Sequence, residues 1–223
     1  MEWFIGAGIA YYIYKALTKP QPPPPSNKNE EIILPPKKHI TLIGATDSGK
    51  SSTGNALLNT QNHFAVGSEH DTTKSVKSGE YINGYMVLDT PGLLGDINFS
   101  ETIFETAKKS KILVYVTKGQ LYRQELDFIE IIGNYQSNWN RKSISTSNKR
   151  FFIVYINMLD VKENSMTKSE IQKERLLVKE QVKRWVKDEH FVFGSSSPLK
   201  NGRRVKPNIE SLENLIASII SIQ

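Results

Sequence analysis

The chain has 223 residues, of which 38% are hydrophobic and none is cysteine, and its formal net charge is +6. That length suffices for one domain with a full hydrophobic core plus additional segments. The lack of cysteine excludes disulfides, zinc–thiolate sites and thiol nucleophiles. The lysine-rich charge leaves nucleic acid, anionic lipid and nucleotide open as partners, and it is equally compatible with a merely basic surface.

An apolar segment opens the chain. Residues 3–14 carry no charge, and Lys15 and Lys19 follow them. As a helix, residues 3–17 span about 22 Å against a hydrocarbon core of about 30 Å, a shortfall that snorkelling and bilayer thinning can offset. We expect residues 1–18 to anchor the chain to a membrane, with a helix docked on protein as the alternative. The lysines after the apolar run then place the remaining chain in the cytoplasm.

Residues 19–36 form a proline-rich linker that contains the run Pro22–Pro25. Proline has no backbone N–H to donate, so this segment cannot join a helix or a central strand. We expect an extended tether of roughly 50 Å and a globular domain over residues 37–223.

Beyond Lys37 short apolar runs alternate with helical patterns. The strand candidates are Ile40–Gly44, Val76–Ile82, Tyr85–Thr90, Ile112–Thr117, Phe151–Met158 and Phe191–Gly194. Thr167 and Glu170 form a capping box that starts one helix, and a last helix is predicted from about Asn208. This alternation predicts a three-layer α/β fold, with a mainly parallel sheet and helices on both faces. Ligands of such sheets bind beyond the carboxyl ends of the strands, where the motifs should therefore collect.

The segment Gly44–Ser51 reads GATDSGKS and fits G-x-x-x-x-G-K-[ST], the phosphate-binding loop of nucleoside triphosphatases. Its two glycines allow a tight curl that points backbone N–H groups at phosphate oxygens. Lys50 can reach the β- and γ-phosphates, and the Ser51 hydroxyl can bind Mg²⁺. The nucleotide contacts expected from this loop are those of Thr46, Asp47, Ser48, Gly49, Lys50, Ser51 and Ser52.

A second motif, Asp89-Thr90-Pro91-Gly92, ends the third predicted strand. An acidic residue at a strand tip near the phosphate loop can hold Mg²⁺, directly or through water. Asp89 is therefore a metal-ligand candidate, and the Gly92 N–H is expected to meet the γ-phosphate.

The segment Asn157-Met158-Leu159-Asp160, after the fifth strand, resembles the guanine-recognition motif N-K-x-D of GTPases. The resemblance implies that Asn157 and Asp160 bind the nucleotide, with the carboxylate accepting from N1–H and the 2-amino group of guanine. Met158 replaces the usual lysine and can cover the base with its apolar chain, although an ATPase stays open. Ser195 and Ser196 are similar to the family's S-A-K loop, whose backbone contacts the guanine oxygen.

Together these residues resemble a P-loop GTPase domain of the translation-factor class, either in its TrmE–Era-like branch or in the immunity-associated and chloroplast-import (GIMAP and Toc, septin-like) branch. The resemblance implies a Mg²⁺-binding threonine in segment 67–75, with Thr73 the choice and Thr72 the alternate. Lys50 and Thr73 are the catalytic candidates, and Ser51, Thr73 and Asp89 the metal ligands. Asp47 occupies the position at which TrmE-like enzymes carry an asparagine that helps to hold K⁺. K⁺ is therefore a second cofactor candidate. The alternative is that Asp47 is a solvated loop residue without a ligand.

Leu93 occupies the position of the water-orienting glutamine of Ras-like enzymes, so intrinsic hydrolysis is expected to be slow. The resulting hypothesis is a membrane-associated molecular switch that binds GTP and GDP and uses Mg²⁺. One alternative is a scaffold that dimerises through its nucleotide face with incidental turnover. The other is an RNA- or ribosome-associated GTPase, which the basic stretches Arg141-Lys142, Lys149-Arg150 and Arg203–Lys206 permit. Nucleic acid is nevertheless the less expected partner.

Overall fold

A computed structural model describes residues 36–66, 75–93, 97–200 and 203–222. The predicted anchor and most of the linker, over residues 1–35, lie outside them, as does segment 67–74 with Thr72 and Thr73. Among the described residues no helix has both the length and the apolar character needed to cross a bilayer.

The main strands in chain order are β1 (Lys37–Ile43), β2 (Lys77–Glu80), β3 (Met86–Asp89), β4 (Ser110–Thr117), β5 (Phe151–Ile156) and β6 (Phe191–Phe193). The helices are α1 (Lys50–Leu57), α2 (Ile97–Lys109), α3 (Arg123–Lys142), α4 (Leu159–Ser165), α5 (Lys168–Val182) and α6 (Glu210–Ser221). A two-stranded ribbon, β7 (Leu199–Lys200) with β8 (Arg203–Arg204), precedes α6.

The main sheet has six strands in the order β2-β3-β1-β4-β5-β6. All neighbouring strands are parallel except β2, which runs antiparallel to β3 at one edge. This confirms the predicted six-stranded, mainly parallel α/β fold. The carboxyl ends of β1, β3, β4, β5 and β6 therefore share one edge of the sheet, and their amino ends share the opposite edge.

Two hydrophobic cores cover the two faces of the sheet, because alternate side chains of each strand point to opposite sides. In β4, Val114 faces the core that includes Leu212 and Ile216 of α6. Its neighbour Leu113 faces the other core, where Ile129 of α3 and Val178 of α5 pack. Every residue of β4 is buried, which explains the continuous apolar run Ile112–Val116 at its centre.

The capping box before α5 is present as predicted. The Thr167 hydroxyl accepts a 3.3 Å bond from the Glu170 N–H, and the Glu170 carboxylate accepts a 2.7 Å bond from the Thr167 N–H. Several predicted boundaries shift by one to three residues. The shift that bears on the site is in β5, which ends at Ile156, so that Asn157 and Met158 lie beyond the sheet.

The polar stretch 136–150 divides between the last two turns of α3 and a loop that leads into β5. Of the basic pair Lys149-Arg150, Arg150 is only 6% exposed. Its guanidinium lies over the Trp139 ring at 4.0 Å instead of presenting charge on an open surface.

Candidate nucleotide-binding site

The phosphate-loop motif connects β1 to α1 at the carboxyl edge of the sheet. Gly44 has φ 150° and Gly49 φ 94°, values that residues with a Cβ rarely adopt. A Cβ on Gly44 would stand 2.1 Å from the Val116 carbonyl oxygen, so both conformation and space require glycine there. Asp47 also has a positive φ, 59°, and its side chain is exposed at the turn.

Helix α1 begins at Lys50, so its positive amino end faces the loop. The Lys50 side chain is 7% exposed and its Nζ donates a 2.9 Å hydrogen bond to the Ala45 carbonyl. The lysine therefore reaches back across the loop, into the region where the motif places the terminal phosphates. Ser52, in the first turn of α1, is half-buried.

A hydroxyl and a carboxylate meet between the first and third strands. The Ser51 hydroxyl donates a 2.7 Å hydrogen bond to Oδ2 of Asp89, which ends β3 and is fully buried. Hydroxyl and carboxylate oxygens are ligands that Mg²⁺ prefers. The two described metal-ligand candidates are thus adjacent and chemically suited to this ion.

Asn157 joins the phosphate loop to the loop after β6. Its side-chain amide donates a 3.1 Å bond to the Ser48 carbonyl, and its Oδ1 accepts a 2.9 Å bond from the Ser196 N–H. The residue is 3% exposed, and its own N–H is held by the Thr117 carbonyl at 2.8 Å. A Cβ on Gly49 would stand 2.1 Å from the Asn157 amide nitrogen, so the phosphate loop and the Asn157 side chain are in close contact.

Asp160 lies in the first turn of α4, after Met158 has turned the chain in the left-handed conformation with φ 61°. The Ser195 hydroxyl donates a 2.6 Å bond to Asp160 Oδ1 and accepts a 2.8 Å bond from the Asp160 N–H. The carboxylate is thereby held in a fixed orientation. Asn157, Asp160, Ser195 and Ser196 converge as the sequence predicted.

The two serines differ from expectation in how they act. The Ser195 N–H donates to the Asn208 carbonyl at 2.9 Å, and the Ser196 N–H donates to Asn157. Both backbone donors thus already bond to protein atoms. In this structure the serines position the two motif side chains, instead of presenting free amides to a base.

Two residues that the motif analysis did not single out complete this network. The Thr53 hydroxyl donates to the Gly49 carbonyl at 2.8 Å and shares a 2.7 Å bond with the Ser196 hydroxyl. Tyr155 Oη accepts a 3.2 Å bond from the same Ser196 hydroxyl, and burial raises the pKa of this phenol. In the sequence, the one feature that could have singled out Tyr155 is its hydroxyl group within an otherwise apolar strand. Thr53 follows the phosphate-loop motif, and no feature of the sequence marks it as part of the network.

Gly92 and Leu93 lie against the phosphate loop. A Cβ on Gly92 would stand 2.2 Å from the Thr46 hydroxyl, and the Leu93 N–H donates to the Gly44 carbonyl at 3.1 Å. Leu93 is 6% exposed and its side chain packs in the core between the sheet and α2 and α3. It therefore cannot orient a water molecule.

Comparisons with a family model and with curated proteins both point to GTPases and related nucleotide-binding proteins. The model of the 50S ribosome-binding GTPase family matches residues 39–177. The chain is 30% identical over 138 residues to the tRNA modification GTPase MnmE of Mycoplasma genitalium, and 33% identical over 107 residues to the immune-associated nucleotide-binding protein 10 of Arabidopsis thaliana. These matches cover 58% and 40% of the chain but only 28% and 22% of the two relatives.

Solved structures show the same fold at low identity. The probable GTP-binding protein EngB aligns with a TM-score of 0.54 and 19% identity, over 83% of this chain and 100% of that one. Era of Aquifex aeolicus bound to GDP·AlF₄⁻ aligns with a TM-score of 0.51 and 17% identity, over 82% of this chain and 56% of that one. Because the family model covers more than half of the chain, this protein belongs to the 50S ribosome-binding GTPase family and contains a P-loop G domain.

Proposed function

We propose that this chain is a GTP-binding switch that hydrolyses GTP slowly with Mg²⁺ and works at the cytoplasmic side of a membrane. The observation that carries the proposal is the hydrogen-bonded bridge at the carboxyl edge of the sheet. Asn157 connects Ser48 to Ser196, and the adjacent Ser195 fixes Asp160. One rigid network therefore supports both the phosphate loop and the carboxylate proposed to bind the purine.

The proposed specificity follows from the hydrogen-bonding edge of guanine. Guanine offers N1–H and a 2-amino group to a carboxylate, whereas adenine has neither donor and would leave Asp160 without them. A site built to hydrogen-bond one substrate rejects an analogue that lacks the group by several orders of magnitude. Met158, half-buried beside Asp160, supplies apolar surface for the base plane.

Hydrolysis in this site would be electrostatic and positional, without a covalent intermediate. The loop N–H groups and Lys50 would hold the phosphates, while Ser51, Asp89 and Thr73 are the proposed metal ligands. When bound, Mg²⁺ neutralises charge on the phosphate oxygens. Since the Leu93 side chain packs in the core, no side chain at that position orients the attacking water, which supports a slow intrinsic rate.

The proposed switch segments are residues 64–75 and 92–99. The first begins at a firm anchor, because the Asn55 side chain exchanges hydrogen bonds of 2.8 and 2.9 Å with the Phe64 backbone and the Phe64 ring is fully buried. We expect both segments to order with GTP and to loosen with GDP. Equal hydrogen exchange protection in the two nucleotide states would contradict this expectation.

K⁺ is proposed as a further cofactor through Asp47, whose exposed carboxylate stands at the turn of the phosphate loop. A monovalent cation there supplies positive charge of the kind that an arginine finger supplies elsewhere. GTP hydrolysis should then be faster in K⁺ than in Na⁺, and Asp47→Ala should remove the difference.

The membrane proposal depends on the apolar segment 3–14. We expect the full chain to float with phospholipid vesicles and a chain lacking residues 1–18 to remain unbound. Flotation of the shortened chain would assign the membrane contact to the G domain instead.

The test of nucleotide identity is competition of GDP, GTP and ATP for a fluorescent guanine nucleotide, using wild type, Asp160→Ala and the control Glu163→Ala. Glu163 is exposed on the same helix. The proposal predicts GDP and GTP competition in wild type and control, weak ATP competition, and a loss of guanine preference in Asp160→Ala. Equal competition by ATP in wild type would contradict it.

The family description favours a second candidate function, binding to the large ribosomal subunit. Co-sedimentation with ribosomal subunits, dependent on GTP, would favour this candidate over the membrane switch. Concentration-dependent dimers with GTP analogues and unchanged turnover in light scattering would instead favour a scaffold.

A further inference from the structure

A second cavity lies at the edge of the sheet opposite the nucleotide site. It has a volume of about 410 Å³ and lies beside the amino end of β5, between the last turns of α3 and the segment that follows α5. Strand β5 separates it from Asn157 by about 17–20 Å, given six residues at about 3.3 Å each. The cavity is within the size range of small-molecule sites.

The lining of this cavity is cationic. Its arginine and lysine residues are Lys149, Arg150, Lys183, Arg184 and Lys187, and none of its described lining residues is acidic. Glu180 and Glu189 neutralise part of the rim through ion pairs with Lys183 at 2.5 Å and Lys187 at 3.5 Å. All four of these side chains are exposed, so the pairs are weak and can yield to a bound anion.

Two buried side chains in the cavity wall have donors that the described part of the protein does not satisfy. Nε and Nη1 of Arg150 and Nε2 of Gln136 have no hydrogen-bond partner there. These residues are 6% and 3% exposed, respectively. A buried guanidinium without an acidic partner is costly, and so is a buried amide donor without an acceptor. Because both residues line the cavity, an anion with oxygen acceptors that binds there can approach these donors.

The surrounding hydrogen bonds hold Arg150 in place. Asn140 clamps its backbone with two hydrogen bonds of 2.8 Å, one from the Arg150 N–H and one to its carbonyl. The guanidinium lies over Trp139, whose Nε1 donates a 2.9 Å bond to the Asn148 carbonyl. Arg150 is therefore preorganised, which lowers the entropic cost of binding.

Lys111 adds charge behind the cavity wall. It is 2% exposed, and its Nζ donates a 2.6 Å bond to the Ser147 carbonyl in the same loop. Burial, together with repulsion from Arg150, lowers the pKa of Lys111 to about 8. The protein thus holds two buried cations, Lys111 and Arg150, close enough to repel each other.

We propose that this cavity is a second anion-binding site, which takes a phosphate-bearing group with the Arg150 guanidinium and the Gln136 amide as its buried donors. Arg184 and Lys187 form its rim. A guanidinium N–H donates a charge-assisted hydrogen bond to a phosphate oxygen, which makes arginine a common residue at phosphate sites. The ligand is either a soluble phosphate compound or the phosphorylated headgroup of a lipid. The inference does not depend on which purine the other edge binds.

The experiment titrates inositol trisphosphate and inorganic phosphate into the full chain while intrinsic tryptophan fluorescence is followed, because Trp139 and Trp185 flank the site. The titrations use saturating Mg²⁺ and GDP and are repeated on Lys50→Ala, so that the phosphate loop does not contribute. Vesicles with and without phosphatidylinositol bisphosphate form the lipid arm.

The variants are Arg150→Gln and the rim pair Arg184→Gln/Lys187→Gln. The control is Lys168→Gln/Lys173→Gln, which removes the same charge from exposed positions on α5 outside the cavity. We expect both site variants to weaken binding about tenfold or more and the control to leave it unchanged. The rim pair keeps the proposal testable if Arg150→Gln fails to fold.

Binding of inorganic phosphate and inositol trisphosphate indicates a soluble ligand, and binding that needs the bisphosphate vesicles indicates a headgroup. Titrations that are identical in wild type and in both site variants would overturn the proposal. Binding of single-stranded RNA that neither phosphate compound displaces would overturn it in favour of a nucleic-acid surface.

Discussion

The two edges of the sheet differ in whether their buried polar side chains have hydrogen-bond partners. At the carboxyl edge, Asn157 and Ser195 bond to neighbours from other loops, and the network joins the elements of the proposed nucleotide site. At the amino edge, Arg150 and Gln136 are as deeply buried, yet Nε and Nη1 of Arg150 and Nε2 of Gln136 lack hydrogen-bond partners in the described part of the chain. Satisfied networks fix geometry, whereas unsatisfied donors are costly unless a ligand satisfies them. The first edge is built to hold its own shape and the second to bind an anion.

Removal of the charge that we propose to bind phosphate should give the largest effect. Lys50→Ala takes away a 7% exposed ammonium that bonds across the loop, and GDP affinity should fall about 100-fold or more. The measurement is a fluorescent-nucleotide titration. At the opposite edge the same variant should bind inositol trisphosphate as wild type does, and a loss there would show that the two edges are not independent.

Two asparagines allow a matched comparison of the edges. Asn157→Ala removes two bonds at the nucleotide edge, and Asn140→Ala removes two from the Arg150 backbone. Each variant should lose roughly 2–4 kcal/mol of unfolding free energy. Only Asn157→Ala should also weaken GDP binding, by about tenfold or more. The comparison fails if Asn140→Ala weakens GDP binding as much.

Lys111 makes stability depend on pH at the amino edge. Its folded pKa of about 8 lies below the unfolded value of 10.5, so between these values the unfolded chain binds more protons and stability rises with pH. As the pH rises from 7.5 to 9.5, titration of this lysine should increase the free energy of unfolding by about 1–2 kcal/mol. Urea unfolding of wild type and Lys111→Met at both pH values measures this difference. Equal pH slopes in the two proteins would contradict the buried charge.

The smallest effect is expected at Gln136. Gln136→Met keeps the volume of the side chain while removing the unpartnered Nε2 donor. The free energy of unfolding should stay constant or rise by up to about 1 kcal/mol, because an unsatisfied donor is lost, and anion binding should weaken. Urea unfolding and the inositol trisphosphate titration report the two quantities. A clear loss of stability would mean that this amide bonds within the protein.

The sequence predicted the six strands and the convergence of the phosphate loop with Asn157 and Asp160, because these features are local runs or short motifs at strand ends. It did not predict that the Ser195 and Ser196 amides donate within the protein, since those bonds depend on the tertiary pairing of Ser195 with Asn208 and of Ser196 with Asn157. The cavity at the amino edge could not be predicted from the sequence either, because it also depends on tertiary packing. Gln136, Arg150 and Arg184 belong to three separate segments without a shared motif, and only the packing of α3 and the segment after α5 brings them together.

The central claim is that Asp160 reads the purine of a nucleotide whose phosphates are bound by the Gly44–Ser51 loop. The most direct measurement compares GTP with xanthosine triphosphate in wild type and Asp160→Asn. Xanthine carries a carbonyl where guanine has its 2-amino group, so an asparagine amide, with one donor and one acceptor, complements it. We predict that wild type prefers GTP and that Asp160→Asn prefers xanthosine triphosphate. An unchanged preference for GTP in Asp160→Asn would contradict the account.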